Sequence, residues 1–239
     1  MKIALLGYGK MGKAIEVIAL QRGHEISLKV GSFNSNELSL DSFNTIDVAI
    51  DFSTPSTAQQ NIELALRSKT PIISGTTGWL KNIDLVNKLC VAENSAFLYA
   101  SNFSLGVNLF FELNKKLASL MSKHQNYEVS MEEIHHTQKL DAPSGTAISL
   151  AEQIIERQDI KKAWVLDEKT NTEELLIEAT REPNVPGTHL VKYESDIDSL
   201  SIEHKAHSRK GFAMGAVIAA EWLQYKKGVF NMKDVLFSN

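Results

Sequence analysis

Three glycines, Gly7, Gly9 and Gly12, stand in the spacing G-x-G-x-x-G between an apolar run and an amphipathic one, and this feature restricts the fold more than any other. The run K-I-A-L-L-G (2–7) is short and continuous, the pattern of a strand buried on both faces. The stretch from Lys10 carries Met11, Ile15, Ile18 and Ala19 at helical spacing and is closed by Gly23. In a strand–turn–helix context the first glycine permits the tight turn. The second lets a pyrophosphate approach the backbone, and the third lets helix and strand pack closely. The free N–H groups of the helix N-terminus then favour phosphate. The plain alternative is a glycine turn with no ligand.

The alternation continues. H-E-I-S-L-K-V (24–30) and I-D-V-A-I-D (46–51) read as the second and third strands, with room for only a degenerate connection between them. Thr54 is a candidate N-cap and Pro55 a first helical residue, P-I-I-S (71–74) a further strand, 79–92 a weaker helix and A-F-L-Y-A (96–100) another strand. Strands alternating with helices predict parallel βαβ units. From S-N-F-S-L-G-V-N onward the character changes. A long helix (105–124), a strand (126–136), a helix from Gly145 and three strand-like runs (174–181, 189–195, 199–206) predict an α+β domain with an open mixed sheet. The apolar helix that begins at Gly211 is expected to return to the first domain.

The companion of the glycine motif is an acidic residue about 20 positions on, which holds the adenosine ribose. Here L-K-V-G-S-F-N-S-N offers no acid before Glu37; Lys29 or Ser32 could meet a 2′-phosphate instead, or Lys29 could be a solvated strand residue. The loops G-T-T-G (75–78) and S-N-F-S-L-G (101–106) each follow a predicted parallel strand, at the sheet edge where open α/β folds bind ligands.

The segment E-E-I-H-H-T-Q-K-L-D-A-P-S-G-T-A (132–147) is dense in ionisable groups, which suits a loop with chemistry to perform better than a core. Strand alternation sends His135 and His136 to opposite sides. Lys139 and Asp141 lie on the loop. Ser144 is a candidate N-cap, and the amides of Gly145 and Thr146 form an anion site. A lysine, two histidines and a helix N-terminus suit a small carboxylate substrate that needs a proton. Zinc is the rival reading of paired histidines, but further ligands at recognisable spacing are wanting, since His204 and His207 would face opposite ways on a strand.

A net charge of −4 supplies no basic stripe for nucleic acid, and no run approaches the ~18 apolar residues of a membrane span. Cys90 is the single cysteine and is expected to be a small buried hydrophobe in a reducing setting; no signal peptide is expected, so the cytoplasm is the default location.

These motifs resemble a known family. E-E-I-H-H-T-Q-K-L-D-A-P-S-G-T-A is similar to the E-x-H-H-x-x-K-x-D-A-P-S-G-T-A signature of dihydrodipicolinate reductases, and G-Y-G-K-M-G, I-D-F-S-T-P, G-T-T-G, A-S-N-F-S-L-G-V-N, V-P-G-T-H and S-R-K-G-F-A-M-G-A-V follow in family order. The resemblance implies a Rossmann-type dinucleotide-binding domain (1–103 and 213–239) and a central domain for substrate binding and tetramerisation (104–212). It implies reduction of 4-hydroxy-tetrahydrodipicolinate, a small dicarboxylate, with NADPH or NADH, in the diaminopimelate route to lysine. By position, His135 resembles the proton donor and Lys139 its catalytic partner, while His136, Ser144, Gly145 and Thr146 resemble substrate-binding residues. Gly7, Tyr8, Gly9, Lys10, Met11, Gly12, Gly75, Thr76, Thr77, Ala100, Ser101, Asn102 and Phe103 resemble the cofactor site, and no metal is implied. A homotetramer is expected.

Two departures stand out. The missing acid leaves the cofactor preference open, with a mild preference for NADPH expected if Lys29 meets a 2′-phosphate. The segment after V-P-G-T-H is shorter than in longer members, where a further strand and a Gly-Glu-His element are found. The other readings are another amino-acid-pathway dehydrogenase, such as an aspartate dehydrogenase, and a non-catalytic dinucleotide sensor.

Overall fold

The structure, a computed structural model, describes residues 1–32, 34–208 and 210–237. In chain order the elements are β1 (Lys2–Leu6), α1 (Lys10–Gln21), β2 (Glu25–Val30), β3 (Val48–Asp51), α2 (Pro55–Arg67), β4 (Ile72–Ser74), α3 (Ile83–Ala92) and β5 (Ala96–Tyr99). There follow α4 (Leu105–Met121), β6 (Glu128–His135), α5 (Gly145–Ile155), β7 (Ala163–Leu166), β8 (Glu174–Arg181), β9 (Thr188–Glu194) and β10 (Ser199–Lys205). The chain closes with α6 (Lys210–Leu223), β11 (Gly228–Phe230) and α7 (Met232–Phe237). Two compact units result, Met1–Leu105 with Lys210–Asn239 and Gly106–Arg209.

In the first unit six strands form a sheet in the order β11-β5-β4-β3-β1-β2, every pairing parallel. Period-two alternation divides its side chains between two cores. Ile3, Leu5, Val48, Ile50, Ile73 and Leu98 pack against α1 and α6, and Ala4, Leu6, Ala49, Ile72 and Phe97 pack against α2 and α3. Both faces are covered, which is why these strands read as unbroken apolar runs. The helix expected from 79 starts at 83 instead, because Trp79 turns into the second core and its indole donates to the Thr76 carbonyl at 2.7 Å. Helix α6 carries a small-residue face, and a Cβ on Gly215 would stand 1.7 Å from the Phe103 carbonyl oxygen, so this helix rests directly on the backbone that leaves β5.

The second unit is a five-stranded mixed sheet, β10-β9-β6-β8-β7, with β6, β8 and β7 parallel and β9 and β10 antiparallel. One face is covered by α4 and α5, whose Phe110, Leu117, Leu150 and Ile154 pack on Val129, Met131, Ile177 and Tyr193. Asn114, fully buried, ties the two helices together by donating to the Leu150 carbonyl and Gln153 Oε1, each at 3.1 Å. Strand β9 turns directly into β10, so the shortened segment appears as a plain hairpin. Two short strands, A-W-V-L and G-V-F, and the terminal α7 were not foreseen. Runs of three or four residues carry too little periodicity to stand out in a sequence.

Candidate active site

Strand β6 sends Val129, Met131, Glu133 and His135 into the covered face, and all four are buried, while Ser130, Glu132 and Ile134 take the other face. The last two inward residues are therefore a carboxylate and an imidazole. His135 ends the strand and His136 leaves it, half-buried, to line a cleft of ≈ 290 Å³ with Gln138, Pro183 and Pro186. The expected divergence of the two histidines is what the strand produces.

Glu133 is completely buried, and a carboxylate in that position is tolerated only when its oxygens are paired. The Ser144 N–H donates to both, at 3.1 and 3.0 Å, and the Arg181 guanidinium approaches Oε1 at 3.2 Å. His135 Nδ1 lies 3.6 Å and His189 Nε2 3.8 Å from Oε2. The two imidazoles meet edge to face with centroids 5.1 Å apart. Burial, reinforced by His135, His204 and Lys139, pushes His189 down to about 3, so it is neutral at ordinary pH. His135 is also lowered by burial, and the Glu133 charge opposes that shift. The donor atoms of Glu133, His135 and His189 lie within 4.8 Å of one another, close enough to hold a cation. The carboxylate is already committed to the Ser144 amide and Arg181. Of the histidines weighed for zinc, His204 packs beside Phe110 and His207 is exposed beyond the strand.

From His136 the chain turns, Lys139 N–H donating to the His136 carbonyl at 3.0 Å. The Lys139 ammonium forms a two-pronged pair with Asp141 at 2.8 and 2.6 Å, and its hydrogen bond holds Asp141 below the usual carboxylate range. Ala142–Pro143 is a cis peptide. Ser144 then caps α5, its Oγ accepting from the Ala147 N–H at 3.2 Å and lying 3.1 Å from His189 Nε2. The amides of Gly145 and Thr146 make no hydrogen bond among the described residues, and nothing lies within 4 Å of a Cβ built on Gly145. Two free N–H groups at an open helix N-terminus are suited to a carboxylate. The Ser144 side chain, by contrast, is consumed inside the protein.

The glycine loop of the first unit divides its labour as its spacing predicts. Gly7 has φ +98°, and a Cβ there would meet the Phe52 carbonyl at 2.1 Å; a Cβ on Gly12 would meet the Gly7 carbonyl at 2.4 Å. Nothing lies within 4 Å of a Cβ on Gly9, the N-cap of α1, which has no side-chain cap and no acid in its first turn. An open, uncapped helix N-terminus fits a dinucleotide pyrophosphate. Lys10 is exposed beside it, while Tyr8 and Met11 are half-buried.

Lys29 pairs with Glu16 at 2.5 Å and lies 5.1 Å over the Tyr8 ring, whose hydroxyl also bonds Glu16. Ser32 is exposed. The Thr76 side chain faces inward, donating to Asp51 at 2.7 Å and accepting from the Ser53 N–H at 2.9 Å, whereas Thr77 is exposed and Gly75 half-buried. Of the last loop, Ser101 is exposed, Ala100 and Asn102 are half-buried, and Phe103 is a core residue stacked 5.6 Å from Phe52.

Residues 1–103 match the family described as dihydrodipicolinate reductase, N-terminus, and residues 106–236 match dihydrodipicolinate reductase, C-terminus. The chain belongs to the dihydrodipicolinate reductase family. A 4-hydroxy-tetrahydrodipicolinate reductase of Christiangramia forsetii is 56% identical over 99% of this chain and 98% of its own length. One from Rickettsia bellii is 36% identical over 95% and 90%. Among solved structures, the dipicolinate-bound dihydrodipicolinate reductase of Paenisporosarcina sp. TG-14 shares the fold, with a TM-score of 0.79 at 22% identity and 99% coverage of both chains.

Sequence reasoning assigned no role to four residues that the structure ties to these regions: Glu133, Arg181 and His189 in the second unit, and Asp51 in the first, although Glu133, His189 and Asp51 stand within the quoted motifs E-x-H-H, V-P-G-T-H and I-D-F-S-T-P. Glu133 could have been found, since it stands two positions before His135 and so shares its face. Arg181 carried no local signal, whereas His189 closes the V-P-G-T-H motif and was left without a role. Parallel register sets Arg181 beside His135, and antiparallel register sets His189 beside Glu133.

Proposed function

We propose that this chain reduces 4-hydroxy-tetrahydrodipicolinate, with loss of water, to tetrahydrodipicolinate using NADPH or NADH, and that residues of the β6–α5 segment bind the substrate and deliver the proton. The 56% identity over nearly the whole chain to a reductase of that name carries the reading. Both halves of the chain match models of the one family.

When bound, the nicotinamide supplies a hydride to the electron-poor ring of the substrate. The protein's own part is to hold two carboxylates and provide a proton. Gly145 and Thr146 offer amides to one carboxylate. Lys139 offers a cation to the other, exchanging its exposed partner Asp141, whose side chain is 61% accessible, for the substrate. His136 lines the adjoining cleft. His135 gives its proton to the reacting carbon, an imidazole being suited to this near neutral pH, and a dianionic substrate favours its charged form. Among the described residues no helix is long and apolar enough to cross a membrane; a cytoplasmic location is the setting proposed for a biosynthetic reductase.

The decisive test is consumption of NADH and of NADPH when the synthase that makes the unstable substrate is coupled in the same vessel. Turnover with at least one cofactor is expected, and none with either would refute the assignment. Pyridine-2,6-dicarboxylate, planar and dianionic, should inhibit competitively and weaken with salt; no binding by calorimetry at millimolar inhibitor with cofactor present would show that the anion site is wrong.

A further inference from the structure

We infer that Glu133 is the positioning residue of the proton donor, turning His135 so that Nδ1 faces the interior and Nε2 the substrate side, and favouring the charged form of the imidazole against its burial. The inference rests on reading His135 as that donor.

Three observations carry it. First, His135 Nδ1 is buried and has no hydrogen-bond partner, its nearest acceptor being Glu133 Oε2 at 3.6 Å, whereas Nε2 is not among the buried orphaned atoms. Gly187 keeps Nε2 uncovered, since a Cβ there would stand 3.1 Å from it. Second, Glu133 cannot swing away, because the Ser144 amide holds both its oxygens and Arg181 a third approach. Third, the charges around His135 are one-sided. Glu133 and His136 come from its own strand and its exit, Lys139 from the following loop, Arg181 from β8 and His189 from β9. Glu133 is the single acid among them, and it alone favours the imidazolium. Separations in catalytic pairs commonly tighten when the charged or substrate-bound state forms.

The proton balance follows. The Nε2–H bond breaks and a C–H bond forms at the substrate carbon that receives the electron pair, leaving neutral His135 with its remaining proton on Nδ1, toward Glu133. Water restores the lost proton. A Glu133 that merely anchors Ser144 and Arg181 would affect stability and KM but would not set the tautomer or the pH profile of turnover.

The test is histidine NMR combined with pH–rate profiles. In the unmodified protein, neutral His135 should carry its proton on Nδ1; an Nε2–H tautomer overturns the inference without any variant. In Glu133→Gln, His135 should titrate about one unit lower. The fall of kcat with rising pH should move to lower pH by the same amount, so that loss approaches about tenfold near pH 8 and is smaller near pH 6. Glu133→Asp, which keeps the charge but withdraws it, should lie between, and serves if the glutamine variant does not fold. A folded variant with the His135 titration and the profile unmoved overturns the inference. His135→Gln separates the two readings: if it retains turnover, His135 is not the donor and the proposed site fails, whereas loss of turnover with an unmoved Glu133→Gln profile sinks only the role of Glu133.

Discussion

At the scale of single residues, the charge states in the second unit decide what each side chain can do. Lys139 is a cation held by an exposed acid, which makes it available to any better-placed carboxylate. Charge-assisted hydrogen bonds contribute about 1.5–3 kcal/mol, so Lys139→Ala should cut kcat/KM by roughly ten- to a hundredfold, chiefly through KM. Steady-state kinetics with the coupled synthase would show it, and an unchanged KM would place the lysine outside the site. His189 makes a different prediction. Its folded pKa of about 3 is below its unfolded value near 6.5, so the unfolded chain binds a proton that the native chain refuses. Stability from this group is complete above pH 6.5 and is lost as pH falls from there toward 3. His189→Gln, which can still bond Ser144, should flatten the decline of Tm across that window. Equal slopes for both proteins would mean that the imidazole is not held neutral.

At the scale of elements, two buried carboxylates play parallel parts, each tying a ligand loop to the end of a strand. Glu133 draws Ser144, the N-cap of α5, back onto β6. Asp51, fully buried at the end of β3, accepts from Ser53 at 2.7 Å, Asn61 at 3.1 Å, Ser74 at 2.9 Å and Thr76 at 2.7 Å, binding together the loops after β3 and β4 and the body of α2. Burial raises its pKa while these four donors oppose the shift. Asp51→Asn turns one acceptor oxygen into a donor facing hydroxyl groups, at a cost of about 1–3 kcal/mol. NADH affinity, followed by fluorescence, should weaken several-fold as the Thr76–Thr77 loop loosens, while binding of pyridine-2,6-dicarboxylate to the protein alone should be unaffected. Unchanged NADH affinity in a destabilised variant would separate the loop from the cofactor.

At the scale of the whole molecule, no helix among the described residues of the second unit packs on the other face of the mixed sheet. Ile134, Leu176 and Leu190 on that face are half-buried, Lys192 stands beside them, and β10 presents a free edge with Leu200 42% exposed. Exposed sheet faces and edges are ordinarily covered, which is the physical reason for proposing a homotetramer built through this unit. Light scattering should give a mass near four chains. A stable monomer at working concentration would show that the hairpin from β9 to β10 is too short to build the interface. Lys192→Glu with Leu200→Glu should dissociate the assembly.

By itself the sequence determined whatever depends on local order. Periodicity marked the βαβ alternation, glycine spacing marked the open turn at Gly7–Gly12, and the signature from Glu132 to Ala147 marked the segment proposed to bind substrate, because each relates residues a few positions apart. The divergence of His135 and His136 needed only the two-residue repeat of a strand. The tertiary structure alone decided matters of register and packing. Glu133 meets Arg181 and His189, 48 and 56 positions later, only because β8 and β9 flank β6 in one alignment. The pairing of Lys29 with Glu16 arises because α1 folds back beside β2. Phe103 and Thr76 read as ligand-loop residues, yet their side chains serve the core and Asp51. Chemistry-bearing residue types were legible where they cluster in the chain; partners brought together by folding left no local trace, since a buried charge constrains its neighbours in space and not in sequence.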